Sequence, residues 1–479
     1  MRRLFEVAFC GVAAVTIATP QGNPIDWSSF GNDAQRSGWE KSDSRITREN
    51  VKDFQLVLKH RLGAPNGGLH SLTPPVVIGR LISYKGFKEL AFVAGAGDHI
   101  WTLDADVDRM FWEKTLAGAA KPKDAACAGI VTSQAALTPA VAFGARPRPA
   151  PGAAPASAPP PPPPPSGGGI LGGTGFGAPR PVFVVSSDGK LHAMRTSDGE
   201  ELVAGGLEFL PANAKASPLT IADNAIYAAT SALCGDSPNA VWAIDVSTAT
   251  PKVASFPLTE GMPAGTAGFA VGATGTVYVQ SVKGSLQALT SKTLALKKSY
   301  AVPGGASNVT PTVFTHKNRE YVLTSGADGV VYLLDAETLD PVAKSESVGA
   351  SGVLGGFASW QATDGTRWVV APTSNKVVGM KLTEADGKPA FAKVWTSGDM
   401  VNPMAPVLTG DMAFVLDAGR GKTNARLYAL DATTGKEIFT TGRQVTAPAQ
   451  ATGLTIVNAR VYFTTTDNTL WAFGVFMER

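Results

Sequence analysis

Charged residues make up only 17% of this 479-residue chain, and they sum to a net charge of +3. No block of lysine or arginine alternates with aromatics along a stretch able to track a phosphate backbone, which argues against nucleic acid as a partner. Cysteine is nearly absent at three residues. None of them forms the Cys-x-x-Cys-His signature of covalent haem or a zinc-ligand spacing. With five histidines and no Ser/His/Asp hydrolase motif, nucleophilic hydrolysis has no visible machinery. Beyond the first twenty residues no apolar run approaches the roughly 18 residues that a membrane span requires.

What the chain has is a leader, a repeat and glycine. Met1, Arg2 and Arg3 precede an apolar run over residues 4–18, the layout of a secretory signal peptide, here assigned to residues 1–20. Cys10 invites a lipoprotein reading, but Phe9 stands before it, where such signals carry a small residue. Export to the periplasm or the medium is the expectation. Cys127 and Cys234 are then the cysteines left to meet an oxidising compartment.

The core of the repeat is clearest at Arg426-Leu427-Tyr428-Ala429-Leu430-Asp431. Similar strand-like runs begin at Ile100, Leu191, Val241, Leu286, Val331, Val377 and Leu470. Counted from Leu191, with Leu427 as the start of the clearest copy, successive steps are 50, 45, 45, 46, 50 and 43 residues. A period of about 40–50 residues is the mark of a propeller or solenoid. Partner strands lie just upstream, across turns such as Asp188-Gly189 and Asp328-Gly329, whose glycines supply the positive φ of tight hairpins. Thr73-Pro74, Thr138-Pro139, Ser217-Pro218 and Thr310-Pro311 precede short apolar runs that read as innermost strands. The expected fold is all-β: an eight-bladed β-propeller of four-stranded antiparallel blades over residues 26–479, monomeric because the ring closes on itself. The eighth copy lacks an outer strand, and the unassigned run at residues 54–61 is expected to supply it. The step from the first copy to the second is 91 residues, because residues 145–178 insert a Pro/Gly-rich segment with seven consecutive prolines at 159–165. That segment reads either as a disordered surface insertion in blade 2 or as a stiff tether for a partner.

The pattern Ala429-x-Asp431-x-x-Thr434-Gly435-Lys436-x-x-Phe439 resembles the tryptophan-docking repeat of the quinoprotein alcohol dehydrogenases that use pyrroloquinoline quinone (PQQ), with Phe439 in place of the usual tryptophan. Thr102, Asp104 and Trp112 fall at equivalent spacing in the first copy, and Trp27 to Asp33, Arg36, Arg45-Ile46 and Asn50-Val51 resemble the segment that opens those enzymes. The resemblance implies the fold and, for an enzyme, calcium, an aspartate base and a flat slot for the quinone. It also implies a second kind of relative, the propeller lipoprotein of outer-membrane assembly, which holds no quinone and works as an interaction scaffold.

The stretches leading into the inner strands, 67–74, 125–139, 211–218, 303–311, 349–358 and 442–448, contain no Asp or Glu. The adjacent-cysteine pair common in those dehydrogenases is missing too. The same stretches carry neutral polar and aromatic groups suited to a sugar, a peptide or another small polar ligand: His70, Gln134, Asn308, Asn402 and Gln444, with Trp360 at the end of another inner strand. Each of these also fits a plain role in satisfying backbone groups. Asp98, Asp188, Asp328 and Asp467 adjoin glycine or asparagine and read as turn residues rather than metal ligands. The resulting expectation is a binding or interaction scaffold for a protein partner or small polar ligand, without catalytic residues, metal or redox cofactor. The alternative is a PQQ- and calcium-dependent alcohol or sugar dehydrogenase with a degenerate site. Cys127 and Cys234 lie in loops expected on one face of neighbouring blades, and read either as a disulfide or as two buried thiols.

Overall fold

The structure, a computed structural model, describes residues 26–41, 43, 45–63, 72–83, 86–95, 97–116, 135–138, 180–234, 236–248, 250–306, 308–450 and 453–475. The leader, the 145–178 insertion, His70, Gln134 and Cys127 lie outside the described residues. Eight sheets are arranged as the blades of a propeller, each running from an inner strand outward. Blade 5 shows the plan, with Thr312–His316, Arg319–Ser325, Val330–Asp335 and Pro341–Ser347 paired antiparallel in that order. The middle strands of the blades are buried on both faces, as in His99–Asp104 and Met412–Asp417, because each sheet is packed between two others. Outer strands such as Leu296–Ala301 meet water along most of their length. That gradient explains why the sequence shows apolar runs at the repeat cores and most of its charge toward the rim. Among the described residues the only helix is a single turn, Asn50–Asp53, and none is long and apolar enough to cross a membrane.

The expected hairpins are present. Gly189 and Gly329 have φ of 88° and 75°. A Cβ at either would fall 1.9 Å and 2.1 Å from the carbonyl oxygens of Leu210 and Gly349, where the chain leaves the outer strand for the next blade. Glycine is required there twice over, by conformation and by space.

The eighth blade closes the ring as its missing strand demands. Gln55–Arg61 pairs antiparallel with Thr469–Gly474 on the outer side of Arg460–Thr464 and Thr455–Val457. Phe54 stacks on Phe414 of blade 7, with ring centroids 5.8 Å apart, and meets Phe439 edge-on at 5.7 Å. Blades 1 and 8 are also joined by a buried polar cluster. Tyr462 and Asn458 both donate to the Glu89 carboxylate, the Arg460 guanidinium lies 3.5 Å from both Glu89 and Asp106, and it donates to Ala105 O at 2.8 Å. Burial raises the Glu89 carboxyl above its ordinary value against the opposing pull of Arg460.

The docking aromatics lie between blades. Trp112, from the outer strand of blade 1, donates to Thr196 O of blade 2 at 3.0 Å and covers Gly199. Trp395 does the same from blade 6 to blade 7, donating to Ala432 O at 3.0 Å with its ring over Gly435. Asp431 organises that turn: its Oδ1 accepts from the amides of Thr433 and Thr434, and Arg48 binds its Oδ2.

One expectation is displaced. In blade 2 the inner strand already runs at Ala136–Leu137, opposite Val182 and Phe183. Thr138 therefore follows the start of the strand instead of preceding it. By register, the position of Thr312 in blade 5 is occupied in blade 2 by Ala136.

Candidate functional site

An inner strand at the axis has one edge without a neighbour, so its amides need acceptors. Here residues 27–38 supply them. Trp27 pairs with Val77 of blade 1. The amides of Leu137, Val271, Val313, Ser359 and Leu408 donate to the carbonyls of Ser28, Ala34, Gln35, Ser37 and Gly38 at 2.7–2.9 Å. These six residues hold one equivalent place in blades 1, 2, 4, 5, 6 and 7. Each stands opposite a second-strand residue that pairs with the fourth residue of the repeat core, as Val313 faces Val322 and Val322 faces Leu334. The segment visits the blades in ring order. Arg36 reaches the remaining blade 3, where it binds Thr220 Oγ1, and also donates to Phe269 O at 3.1 Å and Phe30 O at 2.7 Å. Asp43 accepts the amide of Ala459 in blade 8 at 2.7 Å. Gly38 has φ of 62°, and a Cβ there would touch Ala358 and Pro406 at 3.0 Å, so the last step of the circuit is open to glycine alone.

This segment divides the axis into two unlike sides. Toward the stretches that lead into the inner strands, the space bounded by Phe30, Arg36, Thr310, Phe357, Ala405 and Leu454 measures ≈ 10 Å³, about the room of one water. No carboxylate lines it. The Arg36 side chain at that place is fully buried and stacks on Phe269 at 5.4 Å, and burial lowers it to about 9. PQQ and calcium, which dehydrogenases of this fold imply, need carboxylate oxygens and a flat slot. The described residues that bound this space offer neither, and they do not fit the group. On the opposite side, where the hairpins between first and second strands emerge, a groove of ≈ 780 Å³ opens among Trp39, Lys41, Phe314, His316, Gln361 and Arg367. Its volume lies within the range of ligand sites.

The four described residues among those singled out in the sequence do not gather. Asn308 is exposed at the head of a short parallel ladder, opposite Leu354. Asn402 is held through its main chain, donating to Asp417 Oδ1 at 2.8 Å. Gln444 is exposed in a turn whose amide donates to Thr441 O at 3.1 Å. Trp360 is a packing residue, 2% exposed and stacked on Trp368 at 5.5 Å, because alternation along its strand turns it toward blade 7 rather than the axis. No hydrogen bond joins any two of these four.

The turn aspartates act mostly as read. Asp328 accepts the amide of Val330 at 3.0 Å and the hydroxyl of Tyr332 at 2.7 Å, and Asp467 accepts from Thr465 Oγ1 at 2.5 Å. Asp98 does more, crossing from blade 1 to accept both the amide and the hydroxyl of Ser187 in blade 2, at 2.6 and 2.5 Å. Among the described residues no three His, Cys, Asp or Glu side chains come together as a metal site.

One arrangement imitates a catalytic triad. Ser186 Oγ lies 2.9 Å from His192 Nε2, and His192 Nδ1 meets Glu201. The hydroxyl is 1% exposed, and blade 8 repeats the geometry with Trp471 Nε1 donating to Thr465 Oγ1 at 2.9 Å, six residues apart as before. Tryptophan cannot serve as a base, so this is a hairpin brace of the repeat.

Blade count, ring closure and docked aromatics define the class: the chain is an eight-bladed β-propeller, and its repeats resemble PQQ repeats. The family model described as outer membrane protein assembly factor BamB matches residues 385–475, the outermost strand of blade 6 and the strands of blades 7 and 8 that the C-terminal part of the chain contributes. No curated protein matches the sequence. Among solved structures, the chain is similar to a europium-containing methanol dehydrogenase at 13% identity over 94% of this chain and 98% of that one, TM-score 0.61. It is similar to the quinohemoprotein alcohol dehydrogenase of Comamonas testosteroni at 14% identity over 95% and 82%, TM-score 0.58. It is similar to BamB from Moraxella catarrhalis at 16% identity over 89% and 99%, TM-score 0.51. At such identities the likeness carries the fold, and enzyme and assembly factor share it.

Proposed function

We propose that the protein is an exported propeller, periplasmic or secreted, that works as a binding scaffold for a protein partner or a small polar ligand and carries no redox cofactor. The observation that supports this is the filled axis. Main chain from residues 27–38 takes the inner-strand edges, and the space that the described residues Phe30, Arg36, Thr310, Phe357, Ala405 and Leu454 bound beside it has no carboxylate and room for about one water. Asn308, Asn402 and Gln444, with His70 and Gln134, are proposed as contacts on the lead-in rim. Purified protein incubated with PQQ and calcium and then desalted is expected to retain no quinone absorbance and to drive no dye-linked oxidation of alcohols or sugars. Stoichiometric retained quinone with substrate-dependent dye reduction would reverse the reading in favour of a quinoprotein dehydrogenase.

Cys127 is proposed as the partner of Cys234. In support, Cys234 is 5% exposed and disulfide-bonded. Such a bond closes a loop of about 100 residues, worth roughly 4–5 kcal/mol in the chain-entropy model. Thiol titration of the denatured, unreduced mature protein should find no free thiol. Two reactive groups would refute the bond.

A further inference from the structure

Three arginines are buried near or between the blades, and their partners differ. Arg460 lies between two carboxylates, and Arg36 is capped by two carbonyls and a hydroxyl. Arg367, the first residue of the second strand of blade 6, is 4% exposed and among the described residues has no carboxylate within ion-pair distance. Its Nη2 donates to Thr315 O at 2.6 Å, and its Nε meets no acceptor. The guanidinium lies 5.0 Å from the ring centre of Phe314 and 5.7 Å from that of Trp39. Burial alone pulls it down, to about 10. An unpaired buried charge is a standing loss of stability, and this one lines the ≈ 780 Å³ groove.

The other charges of the groove are engaged. Asp33 accepts from Ser37 and lies 3.6 Å from Lys41, Glu320 accepts the amide of Ala273 at 2.6 Å, Asp364 accepts that of Thr366 at 2.8 Å, and Lys317 is paired with Glu384. The His316 imidazole, whose Nδ1 is also unpartnered, is held below its usual range by burial and by Arg367. One uncompensated positive charge beside three anchored acids suits a monoanion better than a phosphate dianion. A planar fork donor flanked by two rings suits a carboxylate on a flat or apolar body.

We propose that this groove is a carboxylate-binding site, with Arg367 pairing the carboxylate and Trp39 and Phe314 flanking the group that carries it. The carboxylate comes from a free organic acid or from the C-terminus of a peptide, since the groove has room for either. The site lies on the face opposite the lead-in rim, and it stands or falls separately from the scaffold reading.

The test is calorimetric titration of the full chain at fixed ionic strength with benzoate, benzamide, and an acetylated tripeptide as free acid and as amide. Benzoate should bind at least about tenfold more tightly than benzamide, and the free-acid peptide more tightly than its amide. A peptide held more tightly than benzoate assigns the source to chain ends, and the reverse order assigns it to free acids. Arg367→Met should lose at least about tenfold in benzoate affinity while its melting temperature holds or rises, because an unpaired buried charge has gone. Arg367→Lys, which keeps the charge, should bind benzoate with intermediate affinity and covers the case in which the methionine variant does not fold. Benzoate that does not bind or binds no better than benzamide, or an unchanged affinity in either variant, overturns the proposal.

Discussion

A chain shortened to begin after residue 63 should give no soluble folded ring: no cooperative melting transition and no native near-ultraviolet circular dichroism. Such a deletion removes Trp27, Ile46, Val51, Phe54, Leu58 and Leu62, all buried in the largest apolar cluster of the molecule. At roughly 1.5–3 kcal/mol for each buried side chain, the loss is on the order of 10 kcal/mol, comparable with the whole net stability of about 5–15 kcal/mol that a folded domain has to spare. The shortened chain also strips the edge of Thr469–Gly474, exposing an unpaired apolar strand to other copies. A soluble monomer with an unchanged cooperative melt would show that residues 26–63 are dispensable.

Trp395→Ala is the point substitution expected to cost most. The indole is 7% exposed and clamped between two glycines: a Cβ on Gly379 would lie 1.9 Å from the ring and one on Gly435 2.4 Å. Neither backbone can close the gap, since one belongs to a central strand and the other to a turn of the next blade. A rigid cavity places the change at about 3–5 kcal/mol. For a ring of this size that is a fall of roughly 3–5 °C in Tm, read by differential scanning calorimetry. A change below about 1 kcal/mol would mean that the blades are not held together at this seam.

Trp395 also shows where reading the sequence stops. Trp112 and Phe439 each lie 12 positions after the start of their repeat core, at Ile100 and Leu427, whereas Trp395 lies 18 after Val377. The hairpin of blade 6 is lengthened, through Val377–Ala385 and Lys388–Thr396, and the extra residues move the tryptophan out of the pattern. The ring itself was legible, because apolar runs buried on both faces recur at a near-constant step, and the closing strand followed from a blade left one strand short. The axial segment was not. Its bonds are made by main-chain carbonyls of Ser28, Ala34, Gln35, Ser37 and Gly38, and no choice of side chain announces a carbonyl. Nor was the groove legible: Trp39, Phe314 and Arg367 come from three separate parts of the chain, and only the packing of blades 5 and 6 around residues 35–41 brings them together. Trp360 misled for the opposite reason, since which neighbour a strand residue faces depends on a register that the sequence leaves open.

The seam of blade 8 sets an order of events. Gln55–Arg61 emerges from the ribosome about four hundred residues before the strand it pairs with, Thr469–Gly474, so an early strand waits for a late one to be made. Blades can form behind it one by one from local hairpins, but the circle stays open until the end. Closing so long a loop is the late, slow contact in the folding of such a chain. The waiting strand suits the delay. Gln55, Lys59 and Arg61 point to water even in the finished ring, and their polarity keeps the strand from pairing with a stranger before its own partner arrives.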